Sequence, residues 1–181
     1  LRFALGWLRK FVPIGEGDFS PGRDSAPLLV PLKDQPVVFG PLICYEDIYP
    51  GLARDAVRAD ASALIVLTNN GWFGEGGAAQ QHAAHSVLRA VETRRPLIRC
   101  GNGGWSGWID EFGAVRYTLK DEHDRIFFRG TRTVAVTRDA RWIGQRSFYV
   151  KHGDWFVLAC AVITTLGFFL LGTGAGRPRP H

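Results

Sequence analysis

Apolar positions recur along this chain in two spacings, and the alternation between them predicts its elements. Leu1, Leu5, Leu8 and Val12, with Trp7 beside them, follow helical spacing. "PVVFGPLI" at 36–43 is a short, nearly continuous apolar run, as a buried strand requires. "YPGLARDAVRAD" predicts a short helix after Pro50, and "ASALIVLTN" a second buried strand. "AAQQHAAHSVLRAVETR" predicts a long helix stopped by Pro96. "PLIRCGN" and "GWSGWIDEFG" read as the next two strands. Gly113 turns the chain into "AVRYTL", and "TRTVAVT" reads as a later strand. "GEGDFSPGRDS" at 15–25 is a loop. The order β-α-β-α-β-β-β predicts an α/β layered sheet.

From Trp155 to Gly172 the pattern changes. "WFVLACAVITTLGFFLLG" carries no charge over 18 residues, about 27 Å of helix, close to the thickness of a bilayer core. A buried core helix is the alternative, but one so near a chain end is expected to keep a polar face. Trp155 and Tyr149 suit a membrane interface. Arg177 and Arg179 in the tail favour a cytoplasmic C-terminus. The chain therefore divides into residues 1–150, a catalytic-type α/β part, and 151–181, a transmembrane helix at about 155–172 with a short basic tail.

Composition adds little to this picture. The 181 residues carry a net charge of +5, but the arginines are scattered and no basic run is interleaved with aromatics. A solvated surface accounts for them, and nucleic acid is not expected as a partner. Cys44, Cys100 and Cys160 are too far apart for a disulfide framework or a zinc site. There is no methionine, and Leu1 opens without a signal-peptide pattern. The chain reads as a piece of a longer protein.

The chemistry turns on "GPLICYEDIYPG" at 40–51. Cys44 ends an apolar run and precedes a helix. It is either a small core residue or a nucleophile held at a strand end, where a helix N-terminus favours the thiolate. Glu46 is close enough to bond local backbone or to reach a pocket. Asn69 and Asn70 either fix a pocket loop or simply turn the chain with Gly71. Trp72 and Phe73 either line a lipid-facing mouth or fill the core. His82 and His85, three apart on one helix, suggest a metal, but no carboxylate is placed to complete a site. Packing is the expected role, with no metal and no cofactor. Cys100 is expected in the core, and Cys160, within the hydrophobic helix, is expected to be inert.

Taken in order, "ICYE", "TNNGWFG" and "QHAAHSVLRAVETRRPLIRCGNGGWSGWIDEFG" resemble the nitrilase, or carbon-nitrogen hydrolase, superfamily. They resemble most closely its membrane branch, the apolipoprotein N-acyltransferases. The resemblance implies part of an α-β-β-α sandwich followed by a transmembrane helix. It also implies a Glu-Lys-Cys triad, with Cys44 as nucleophile and with Tyr45 and Glu46 matching residues important for activity. Asn69, Asn70, Trp72 and Phe73 become candidate substrate-binding residues. The implied reaction moves an acyl chain from a membrane phospholipid, through a cysteine thioester, to the N-terminal amine of a diacylglyceryl-cysteine lipoprotein. The implied location is the bacterial inner membrane, with the catalytic part facing the periplasm. The family's Glu and Lys are expected N-terminal to Leu1, so this piece alone is expected to be inactive. Lys10, Glu16 and Lys33 have the right types, but a solvated loop fits them better. A membrane-anchored nitrilase-type amidase and a catalytically incomplete membrane-tethered binding module are the alternatives.

Overall fold

A computed structural model describes residues 26–32 and 36–174 of the chain. Lys10, Glu16, Lys33, the expected N-terminal helix and the loop at 15–25 lie outside the described residues. Six strands form one sheet in chain order: β1 (Leu28–Val30), β2 (Val37–Ile43), β3 (Ala63–Asn69), β4 (Leu97–Asn102), β5 (Gly107–Ile109) and β6 (Val115–Thr118). β2, β3 and β4 are parallel; β1, β5 and β6 join antiparallel at the two sides. Helices α1 (Pro50–Arg58) and α2 (Ala78–Thr93) make the two crossovers between the parallel strands.

Alternation along the strands decides what those helices cover. Leu42, Leu64, Val66, Leu97 and Ile109 point into one core with Ala53, Ala56 and Val57 of α1 and Ala83 and Ala90 of α2. The opposite positions, among them Ile43 and Leu67, stay exposed. Small residues let α1 lie close on the sheet. A Cβ built on Gly40 of β2 would meet the Ala56 Cβ at 2.7 Å and Leu64 Cδ2 at 2.9 Å. Pro41 interrupts β2, yet β1 pairs only Val37 to Phe39. Beyond Phe39 the strand has one neighbour, where a missing N–H is tolerated.

The parallel strands and both helices fall where the apolar runs predict them. The strand expected at "TRTVAVT" does not form. Val134 and Val136 are partly sheltered, but the segment finds no ladder partner among the described residues. Pattern alone cannot hold a strand whose backbone groups have nothing to pair with. Short helix α3 (Phe148–His152) instead inserts Val150 into the core. Arg58 Nε ties it down by donating to the Val150 carbonyl at 2.9 Å.

Helix α4 (Trp155–Gly174) follows. Its side chains are described as far as Leu171, and Phe156, Leu158, Ile163, Phe168, Leu170 and Leu171 are all exposed. Among the described residues no helix is long and apolar enough to cross a membrane. The end of the stretch predicted to span, at Gly172, lies outside the described side chains.

Gly40→Ala is expected to force α1 off the sheet and to destabilise the chain by about 1–3 kcal/mol. Urea unfolding midpoints compared with wild type check this.

Candidate active site

The carboxyl ends of β2, β3 and β4 lie side by side, and the chemistry-bearing residues collect there. β2 runs directly into a single 3₁₀ turn, Cys44–Ile48. Cys44 is the corner and has φ 55°, a left-handed conformation that costs a residue with a Cβ about 1–2 kcal/mol. The turn is closed locally by Glu46, whose Oε2 accepts the Ile43 N–H at 2.7 Å. Of the two roles open to Glu46, the structure shows the backbone one.

What the turn is fastened to is buried beneath it. Asp47 is 0% exposed. Its Oδ1 accepts from His82 Nε2 at 2.9 Å. Its Oδ2 accepts from Ser86 Oγ at 2.6 Å and from Arg99 Nη1. Arg99 Nη1 also donates to Ser86 Oγ at 2.8 Å. Arg89 Nη1 donates to the backbone carbonyls of Asp47 and Ile48 at 3.2 and 3.1 Å, and its Nη2 reaches Glu92 at 2.7 Å. One carboxylate thus draws together the turn, α2 and β4. The Arg99 side chain is itself fully buried, so the two charges compensate each other out of water.

His82 carries the connection onward. With Nε2–H donating to Asp47, its Nδ1 accepts from Asn70 Nδ2 at 3.0 Å. This pattern belongs to the neutral imidazole. Burial holds the His82 pKa below its ordinary value, and the neighbouring Arg99 charge adds to the effect against the pull of Asp47. The Asp47–Arg99 pair is already neutral, so a second buried cation would stand uncompensated. Burial likewise lowers the pKa of Arg99, opposed by Asp47.

The loops after β3 and β4 interlock. Asn70 N–H donates to the Asn102 carbonyl at 2.8 Å. Asn69 Oδ1 accepts from the Gly71 N–H and from Asn102 Nδ2, both at 3.1 Å. Gly103, at φ 61°, passes so near Gly71 that an added Cβ would lie 3.1 Å from its Cα, and one on Gly104 would lie 2.9 Å from the Asn70 Cβ. Both asparagines therefore turn the chain and fix a loop. Tyr45 stacks on His82 at 4.7 Å and meets Phe73 edge-on at 6.3 Å.

Cys44, Tyr45 and Asn70 thus come together around His82, with Phe73 against Tyr45. Asn69 serves the neighbouring loop, and Trp72 projects outward, 83% exposed. Neither Trp72 nor Phe73 fills the core. Cys100, expected in the core, is exposed, because it occupies the strand position opposite to Leu97 and Arg99. Cys160 is exposed on α4. Among the described residues no His, Cys, Asp or Glu group could hold a metal ion. Asp47, Ser86, Arg89 and Arg99 escape a motif reading. Two signals for them exist in the sequence. His82, Ser86 and Arg89 recur at one helical face, and Arg99 occupies an inward position of an apolar strand.

Comparison with known proteins gives three findings. The family model described as carbon-nitrogen hydrolase matches residues 14–164. The chain is 36% identical over 168 residues to an apolipoprotein N-acyltransferase of Geobacter metallireducens, covering 91% of this chain and 30% of that protein. It is 40% identical over 153 residues to one of Agrobacterium fabrum, covering 84% and 27%. The match thus spans between 21% and 30% of the length of these and other curated relatives. Among solved structures, an amidase from Nesterenkonia sp. AN1 aligns with a TM-score of 0.45 and 21% identity, over 56% of this chain and 41% of that one.

Two outcomes are expected of the buried cluster. Asp47→Ala leaves Arg99 charged and unpaired and should cost about 3–5 kcal/mol of unfolding free energy, read by urea denaturation. The second concerns pH. The folded pKa of His82 lies below the ordinary 6.5, so its neutral form contributes fully above that pH. As pH falls below it, the unfolded chain takes up the proton first and stability is lost, until the folded pKa is passed. The difference between wild type and His82→Gln, followed by unfolding from pH 8 downward, should shrink in that direction.

Proposed function

The chain belongs to the carbon-nitrogen hydrolase family, and from that membership we propose that it is the catalytic-cysteine part of a membrane N-acyltransferase. The observation that carries the reading is Cys44 itself. It stands at a left-handed corner on the carboxyl end of a parallel strand, fastened from below by Asp47. A sharp strand-to-helix corner of this kind lifts a nucleophile clear of the sheet.

In this reading Cys44 Sγ attacks the ester carbonyl of a phospholipid as its proton passes to a base. The tetrahedral intermediate collapses to a thioester, and the lysolipid alcohol leaves with a proton. The α-amine of a diacylglyceryl-cysteine then attacks the thioester. The new amide forms, and Cys44 is regenerated as a thiol. The family resemblance implies a Glu as the base and a Lys as the cation facing the oxyanion. In this reading Tyr45 and Phe73 flank the approach to the sulfur and Trp72 stands at the rim of the substrate mouth, while Asn69 and the buried Asn70 hold the loops behind it. The open face of the sheet is where the second sheet of an α-β-β-α sandwich would pack.

The exposed apolar side chains of helix α4 support a lipid substrate for this site. Its described apolar side chains remain exposed, and its Thr165 hydroxyl is satisfied within the helix by the Ala161 carbonyl at 2.8 Å. Such a surface belongs in lipid. In the reading proposed, residues 155–172 insert into the inner membrane with Trp155 at its interface. Residues 1–150 face the periplasm, and the arginines of the tail lie on the cytoplasmic side. A site held at the bilayer spares an acyl chain a passage through water worth about 0.8 kcal/mol per CH₂. That favours a lipid acyl donor over the small amide of an anchored amidase.

The test uses the full-length protein with phospholipid and a diacylglyceryl peptide. Cys44→Ala should abolish transfer and the acyl adduct seen by mass spectrometry, and Cys44→Ser should be nearly inactive. Cys100→Ala and Cys160→Ala should remain close to wild type. A Cys44→Ala protein that keeps most of its activity would overturn the thioester mechanism.

A further inference from the structure

Only one end of the Cys44 turn is buried. Cys44 is partly sheltered, Tyr45 and Glu46 are exposed, and Asp47 is wholly enclosed. The position of the sulfur is therefore set by where Asp47 is held, three residues on. The sheet register shows what that hold does. Leu42 of β2 stands beside Val66 of β3, and Val66 beside Arg99 of β4. The chain leaves β2 just after Leu42 and turns at Cys44. Asp47 then returns to the helix-covered side, where the Arg99 guanidinium meets it. A reversal that tight needs a residue with positive φ at its corner, and that residue is Cys44.

We propose that Asp47 and Arg99 are positioning residues for Cys44, their buried ion pair locking the left-handed backbone that aims the sulfur out of the sheet. This rests on the reading of Cys44 as the nucleophile. Ser86 braces both partners, bonding to the Asp47 carboxylate and to Arg99 Nη1. Arg89 holds the far end of the turn through the Asp47 and Ile48 carbonyls. His82 passes the same constraint to the Asn70 loop. The charged and titratable groups around the turn are Glu46 and Asp47 on the turn itself, the neutral His82 and Arg89 on α2, and Arg99 on β4. Neither Asp47 nor Arg99 needs to touch substrate; they act through the backbone of Cys44.

The decisive variant is Asp47→Asn with Arg99→Gln, which removes both charges and leaves neither buried alone. The full-length protein is labelled with ¹³C and ¹⁵N at its cysteines and studied in detergent micelles. The Cys44 ¹³Cα shift and its HN–Hα coupling report φ directly, and iodoacetamide labelling followed by peptide mass spectrometry reports the sulfur. The Cys44 signals should move toward extended values, and its labelling should slow by at least about tenfold. Cys100, exposed on β4, should keep both its signals and its rate, which a general loss of structure would not allow. Ser86→Ala leaves the ion pair in place and should shift Cys44 the same way by less; it decides alone if the double variant does not fold. Wild-type Cys44 signals and rate in the folded variant would overturn the proposal. Failure of the nucleophile reading would look different, since wild-type Cys44 would then label no faster than Cys100 while the backbone signals still responded to the variant.

Discussion

A single buried carboxylate organises this molecule. Asp47 is taken entirely out of water, and a carboxylate so placed must find a counter-charge and donors for its lone pairs or lose its ionisation. Arg99 supplies the charge, and Ser86 and His82 complete the donors. Each comes from an element that must be in register for the contact to exist. α2 must present Ser86 and His82 on one face, and β4 must point Arg99 inward beside Leu97. The requirement to satisfy Asp47 therefore couples the turn after β2 to the helix and strand that follow it. Hydrophobic burial alone would accept several registers here, whereas the ion pair accepts one.

That coupling explains why strain collects at the cysteine. The left-handed corner is unfavourable by itself, and it survives because its neighbours on both sides are fixed, by Glu46 locally and by Asp47 at depth. The chemistry and the stability of this region pull in opposite directions. Cys44 shares its positive φ with Asp60, Arg94 and Asp124 among the described residues, and the residue that secures it is among the costliest to bury. The two loops beside it are rigid for a different reason. They approach so closely that only glycine fits at Gly103 and Gly104.

Much of this was legible in the sequence. The apolar runs at 37–43 and 63–69 and the Ala-rich helix before Pro96 declare the parallel β-α-β-α-β unit, because continuous apolar strands and a 3.6-residue period are direct consequences of two-sided burial and one-sided packing. The run "ICYE" gives the position of the nucleophile candidate. The period of "TRTVAVT" suits a strand but cannot show that a partner edge exists. Cys100 looks apolar in context, and only the register reveals that it faces away from the helices. The Asp47 cluster is hidden because the partners of its carboxylate stand 35 to 52 positions from Asp47 in sequence. A charge inside an apolar pattern, as at Arg99, is the visible trace of such a contact, without naming its partner.

The interlocked loops also divide the site into parts with unequal freedom to change. Asn70, Gly71, Asn102, Gly103 and Gly104 are bound to one another backbone against backbone, so an exchange at one must be answered at another. A few residues further on, Gly76 and Gly77 face open space, as does Gly74, and Trp72 stands clear of the sheet. A side chain added at Gly76 or Gly77 would meet nothing within 4 Å, whereas Gly74, at φ 65°, is held to glycine by its backbone.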